Sequence, residues 1–198
     1  LANSLKKIIE FLHYCEGLKK VPRKLHLSSG EVESTAEHSW RMAFMVMFLA
    51  PKLRDIQVDV EKSMKMALIH DLIEIDAKDV CFLDHIDNPK LKKDKQSREE
   101  MAMNRIQEML GPDAEEIASL WREYEDQLTV EARFVKAIDK LEGRLQYIED
   151  QTTVYKEETQ ANKFPKARET VSDLCSIDSL LAELDRMTVS KRKHPKPE

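Results

Sequence analysis

Glycine is scarce in this chain, with four in 198 residues. Sheet proteins built on tight hairpins need more, because their turns require positive φ. The scarcity therefore points to an all-α fold. Cysteine is equally thin. Cys15, Cys81 and Cys175 are scattered and odd in number, so no disulfide framework is implied and a reducing, cytoplasmic setting is expected. Long apolar runs are missing as well. The longest, Met42 to Pro51, is too short to span a bilayer, and no secretory signal is visible. The chain starts at Leu1 instead of methionine, so a trimmed N-terminus is expected. An excess of positive charge is also absent. The formal net charge is −5, which disfavours a nucleic-acid polymer as partner. A small anionic substrate stays compatible, because a local metal ion outweighs a modest global charge.

What remains is 41% hydrophobic and 35% charged residues, the balance of amphipathic helices with solvated outer faces around one core. The length fits a single domain, read as residues 1–190, followed by a basic, proline-bearing and disordered tail at 191–198. Apolar periodicity predicts about six to seven helices. They cover residues 4–18, 34–50, 59–76, 94–110, 113–125, 130–150 and 165–187, with 19–34 a loop and 77–93 irregular around an Asp87-Asn88-Pro89 turn. Ser34-Thr35-Ala36-Glu37 reads as a capping box opening the second helix. Trp40 and Trp121 read as core anchors, and the methionines of 42–47 as core packing. Arg98 reads as part of a solvated face.

Against this background a few polar residues stand out. His70-Asp71 closes the apolar run Met66-Ala67-Leu68-Ile69, where unpaired charge is costly. Alone, the pair fits a capped helix end as well as a metal site. His38 opens an apolar helix, and Asp139 lies between Ile138 and Lys140 at the edge of an apolar stripe. Three helices thus each present a metal-type side chain beside core residues, the way helical bundles build metal sites. Two imidazoles and two carboxylates suit one divalent Mn, Co, Fe, Ni or Zn ion better than Ca. Water in the remaining coordination positions becomes a better nucleophile. Glu74 follows His70 by four residues and Asp71 by three, placed to move a proton, or else is a solvated helix-end carboxylate. Arg23 offers a planar fork for a phosphate, or is a surface charge beside Pro22.

Glu37-His38, His70-Asp71-Leu72-Ile73-Glu74, Asp79 and Ala137-Ile138-Asp139 together resemble the H…HD…D pattern of the HD-domain superfamily. Leu18-Lys19-Lys20-Val21-Pro22-Arg23, Ala36-Glu37-His38-Ser39-Trp40 and Glu131 to Ala137 narrow the resemblance to its 5′-deoxynucleotidase branch, over roughly residues 5 to 150. The resemblance implies an all-helical dimer that removes phosphate from nucleoside 5′-monophosphates, with deoxyribose preferred. It implies His38, His70, Asp71 and Asp139 as metal ligands, Glu74 as the catalytic carboxylate and Arg23 as the phosphate-orienting residue. Asp79, Val80, Cys81 and Phe82 would line the sugar side, with Asp71 and Asp139 also near the substrate. One departure is visible: Lys24, Leu25 and His26 follow Arg23, where the nucleotidases carry a tryptophan. A binding module that holds metal and nucleotide without turnover is the alternative, and the retained Glu74 argues against it. A two-metal enzyme would need further ligands between Asp71 and Asp139, where only His85 is available.

Overall fold

The computed structural model describes residues 2–77, 89–150 and 163–190. Nine α-helices occur among them. They are α1 (Ala2–Cys15), α2 (Thr35–Leu49), α3 (Val60–Ile69), α4 (Glu74–Ala77), α5 (Pro89–Leu110), α6 (Glu115–Asp126), α7 (Val130–Glu149), α8 (Lys163–Cys175) and α9 (Ser179–Ser190). The helical expectation holds, with the boundaries set by local chemistry. Ser34 and Glu37 form the reciprocal capping box: Ser34 Oγ accepts from Glu37 N–H at 3.3 Å, and Glu37 Oε2 accepts from Ser34 N–H at 2.7 Å. Asp59 and Thr129 cap α3 and α7 by accepting from the N–H of Lys62 and Ala132. Gly111 takes φ +64 as α5 ends, a left-handed turn that a residue with a Cβ adopts only under strain.

Four expectations about the elements need correction. The predicted loop 19–34 holds a 3-10 turn (Glu16–Lys20) and then an antiparallel ribbon, β1 (Pro22–His26) with β2 (Val32–Ser34). Four glycines suffice for one ribbon, since only Gly30 at φ 93 is needed in its loop. The predicted helix 59–76 breaks at His70 and resumes as α4. The predicted helix 165–187 is two helices, because the Asp178 carboxylate accepts the N–H groups of Arg54 and Asp55 on one side and of Leu180 on the other. That competition with the backbone ends one helix and starts the next. Further upstream, α5 begins at Pro89, inside the stretch expected to be irregular; proline is suited to the first turn of a helix. The rest of that stretch, with Asp79 to Phe82, and the tail 191–198 lie outside the described residues.

Two apolar clusters form the interior. The first joins Met42 and Val46 of α2, Met66 of α3, Phe134, Ile138 and Leu141 of α7, and Val171 and Leu181 of the last two helices. The second joins Leu72 and Ile73 to Met103 and Ile106 of α5 and Ala118 and Trp121 of α6. Ile69, the last residue of α3, packs against both. His70 therefore emerges at the seam between the two clusters. Trp121 is buried as expected, but Trp40 is 66% exposed. Helical periodicity explains the difference: His38, Met42 and Val46 take the inner face of α2, and Trp40 falls opposite. Among the described residues no helix is long and apolar enough to cross a membrane.

Candidate metal centre

The break after α3 shapes the centre. His70 N–H still donates to Met66 O at 3.0 Å, but Leu72 N–H donates to Ile69 O and Glu74 N–H to Asp71 O, each at 3.0 Å and each three residues back. The chain has tightened into a 3-10 turn, in which residues three apart eclipse. Asp71 and Glu74 are thereby stacked on one side, a closer relation than the four-residue spacing of His70 and Glu74 provides. From the facing helix α7, Asp139 and Glu142 are also three apart and share a face. His38 enters from the first turns of α2, fully buried.

These segments bring the four expected ligands together. Donor atoms of His38, His70 and Asp71 lie within 4.8 Å of one another. Asp139 joins from the His38 side, its Oδ1 3.4 Å from His38 Nε2, while Asp71 Oδ2 is 3.1 Å from His70 Nε2 and 3.8 Å from His38 Nε2. The tautomers follow from the outer ring nitrogens. His70 Nδ1 lies 2.9 Å from Ala67 O, and a carbonyl can only accept, so Nδ1 carries the hydrogen. His38 Nδ1 makes a short hydrogen bond to the buried carboxylate of Glu142. Both Nε2 atoms then face inward, buried and without a hydrogen-bond partner, and each presents a lone pair there once it is deprotonated. Lone pairs facing the oxygens of Asp71 and Asp139 repel unless positive charge sits between them. This is the donor chemistry of a divalent cation, with Glu142 and Ala67 as the outer partners that fix ring orientation.

The electrostatics agree with that reading. Burial and Arg23 push the His38 imidazole down, but Glu142 and Asp139 outweigh them and hold it up at about 9. The same carboxylates that favour a proton there favour a metal cation. Burial raises the Asp71 carboxyl, yet His70 and His38 overcome it and keep it well below the usual carboxylate range. Asp139 is depressed in the same way against burial, chiefly by Lys140 and His38. Tyr124 O–H donates to Asp139 Oδ2 at 2.8 Å, and Lys136 Nζ donates to the Tyr124 oxygen at 3.1 Å.

Glu74 and Arg23 flank this core. Glu74 is 5% exposed and accepts from Thr35 Oγ1 at 3.2 Å. Arg23 is carried in by the ribbon, which no periodicity in the sequence announced. Val21 O accepts from Thr35 N–H, and Asp150 Oδ2 accepts from His26 N–H at 3.0 Å, so the ribbon is tied at both ends to α2 and α7. Its register shifts between Pro22 and His26, an irregularity of the kind that re-aims a side chain. Arg23 Nε pairs with Glu33 Oε2 at 2.9 Å and Nη1 reaches within 4.0 Å of Asp71 Oδ2. Burial and Glu142 push the Glu33 carboxyl up to about 7 against the pull of Arg23. On α5, Lys95 pairs with Glu99, and its charge is also felt by Asp71 and Glu74. Arg98, expected on a solvated face, donates to Ala77 O at 2.6 Å, at the last residue of α4. Glu142, Glu33, Tyr124 and Lys95 escaped the sequence reading. Only Glu142 left a signal, its spacing of three from Asp139.

A family model of the HD domain matches residues 15–175 of the chain. The chain is 35% identical over 144 residues to the 5′-deoxynucleotidase HDDC2 of Homo sapiens, an alignment covering 71% of this chain and 67% of that protein. It is 35% identical over 149 residues to the 5′-deoxynucleotidase hdd1 of Schizosaccharomyces pombe, covering 72% and 71%. Its fold is similar to the crystal structure of a predicted metal-dependent phosphohydrolase from Magnetospirillum magnetotacticum MS-1, with a TM-score of 0.78 and 31% identity over 94% of this chain and 91% of that one.

Proposed function

The chain belongs to the HD-domain family of phosphohydrolases, and from that premise we propose that it removes the phosphate of (deoxy)nucleoside 5′-monophosphates. The observation that carries the reading is the pair of buried, partnerless Nε2 atoms of His38 and His70 facing the carboxylates of Asp71 and Asp139, with Glu74 alongside. Family members depend on a divalent metal; here His38, His70, Asp71 and Asp139 would hold one ion, of Mn, Co, Fe, Ni or Zn. When bound, such an ion supplies Lewis acidity, lowering the pKa of water and neutralising phosphate charge.

The remaining work falls to the protein's own side chains. Glu74 takes the proton of the attacking water or delivers one to the departing 5′ oxygen. A site that only bound nucleotide would have no use for such a group, which favours an enzyme over a passive module. Arg23 holds the phosphate with its guanidinium fork, pre-aligned by Glu33. Lys95 adds a second positive charge on the α5 side. Asp79, Val80, Cys81 and Phe82 are assigned to the sugar side by resemblance alone. We further read the chain as a cytoplasmic homodimer, a reading supported by the family resemblance and by the free thiols of Cys15 and Cys175 among the described residues.

The test is phosphate release from deoxyribo- and ribonucleoside 5′-monophosphates across the five metals, with a chelated control. Metal-dependent release with deoxyribose favoured supports the proposal. Stoichiometric metal binding with no release from any monophosphate overturns it and leaves the binding module.

A further inference from the structure

The outer face of α2 carries large apolar side chains. Trp40, Phe44, Met47 and Phe48 recur at helical spacing and are 66%, 51%, 45% and 54% exposed. The rings are ordered as a ladder: Trp40 and Phe44 stack with centroids 6.3 Å apart, and Phe44 and Phe48 at 6.2 Å. An open cleft of about 620 Å³ lined by Leu27, Val32, Glu37 and Trp40 continues the patch onto the ribbon. Contiguous apolar patches of this kind mark interaction sites.

We infer that this stripe packs antiparallel against the same stripe of a second copy, about a two-fold axis at Phe44. This deepens the dimer reading above and rests on it, but not on the proposed chemistry. Three features of the stripe argue for a copy of itself as the occupant. Phe44 lies midway between Trp40 and Phe48, so a two-fold axis there sets Trp40 of each copy on Phe48 of the other. The stripe is also charged oppositely at its two ends. Exposed Glu37 stands at the N-terminal end and exposed Lys52, whose Nζ lies 3.7 Å from the Phe48 ring centroid, at the C-terminal end. Antiparallel pairing brings each glutamate near the other copy's lysine, whereas parallel pairing would set like charges together. Finally, a two-fold interface must be self-complementary, and an evenly spaced aromatic ladder meets that requirement because the same Trp40–Phe48 contact recurs on both sides of the axis.

Sedimentation of the purified chain at about 10 μM, near the micromolar affinities of modest interfaces, tests it together with Phe44→Glu, which would face two carboxylates at the axis. The expected result is a dimeric wild type and a monomeric variant with unchanged helix content by circular dichroism. Cysteine cross-linking, on a chain whose native cysteines are replaced by serine, keeps the test independent of that variant's folding. Phe44→Cys should cross-link to itself, and Trp40→Cys mixed with Phe48→Cys should form the heterodimer. Trp40→Cys alone should not cross-link, because its two copies lie about 12 Å apart along the helix. A dimer that survives Phe44→Glu and gives no Phe44→Cys cross-link overturns this face while leaving the dimer reading standing. A monomeric wild type overturns both.

Discussion

Two polar clusters in this molecule contain buried aspartates of opposite character, Asp178 in one and Asp139 in the other. Around Asp178, 1% exposed, both carboxylate oxygens have donors: Oδ2 accepts from Arg54 N–H at 2.8 Å and Asp55 N–H at 2.7 Å, and Oδ1 from Leu180 N–H at 2.8 Å. Asp185 nearby is matched by Arg144 and by Ser172 Oγ at 2.8 Å. Around Asp71 and Asp139 the opposite holds, since two imidazole nitrogens are left without a hydrogen bond among carboxylates. A polar cluster whose atoms satisfy one another holds chain segments in place. One that gathers lone pairs and leaves them facing each other costs stability until a cation joins it. The contrast separates framework from function without reference to any relative.

The comparison breaks most sharply at Asp71. Asp71→Ala should abolish metal binding and bring turnover to background while leaving helix content intact, as read by metal analysis and circular dichroism. Wild type stripped by chelator should lose its metal-dependent rise in melting temperature, since a ligand that binds only the folded state stabilises it. The variant should show no such rise when metal is added. A variant that still binds about one ion per chain would remove Asp71 from the ligand set.

Glu74→Ala should keep the metal and lower kcat by about 10²- to 10⁴-fold, the range for a positioned proton-transfer group, with KM little changed. Arg23→Ala should act differently, raising KM as well as lowering kcat, because the phosphate is no longer held in line. Arg23→Lys should restore only part, since an ammonium cannot form the two-point contact. If Glu74→Ala loses its metal, Glu74 is a ligand and its assigned role is wrong.

The framework cluster should fail in the other currency, stability. Asp178→Ala strands backbone N–H groups of two segments and should cost roughly 3 kcal/mol, given about 1–3 kcal/mol for each buried donor left unsatisfied. Chemical denaturation would read the loss, and turnover per folded molecule should stay at the wild-type value. The smallest effect is one of pH. Backbone N–H donors from Asp55, Leu180 and Arg54 hold the Asp178 carboxyl below its usual value despite burial. The unfolded chain therefore takes up this proton first as pH falls. The stabilisation is fully present above the ordinary carboxylate range near about 4 and is lost as pH drops through the lower folded value. Asp178→Asn should flatten that part of the stability profile, and an unchanged slope between about pH 4 and 2 would assign the acid sensitivity elsewhere.

Some of this was legible in the residues and some was not, for physical reasons that differ. The capping box at Ser34, the apolar periodicities and the His-Asp pair at the end of an apolar run are local patterns, and local hydrogen bonding and helix geometry act on neighbours in sequence. Trp40 was misplaced because hydrophobicity says that a side chain gains by being covered, not by what. The bond from Leu180 N–H to Asp178 is local, but the break there was missed because the Arg54 and Asp55 N–H groups that the carboxylate also accepts come from more than a hundred positions away. Arg23 was found by its chemistry, but the ribbon that delivers it depends on pinning by Asp150 and Gln146 from α7.

By itself, then, the sequence determined the helical character of the chain, through scarce glycine and helical spacing, and offered residue types that could bind a metal, through side-chain chemistry. Only the tertiary structure decided that His38 and His70 turn their Nε2 atoms inward. That orientation comes from Glu142 and Ala67 holding the outer nitrogens. For Ala67 the contact is local, but for Glu142 it joins two helices far apart in the chain, and such a pairing exists only once the core between them has packed.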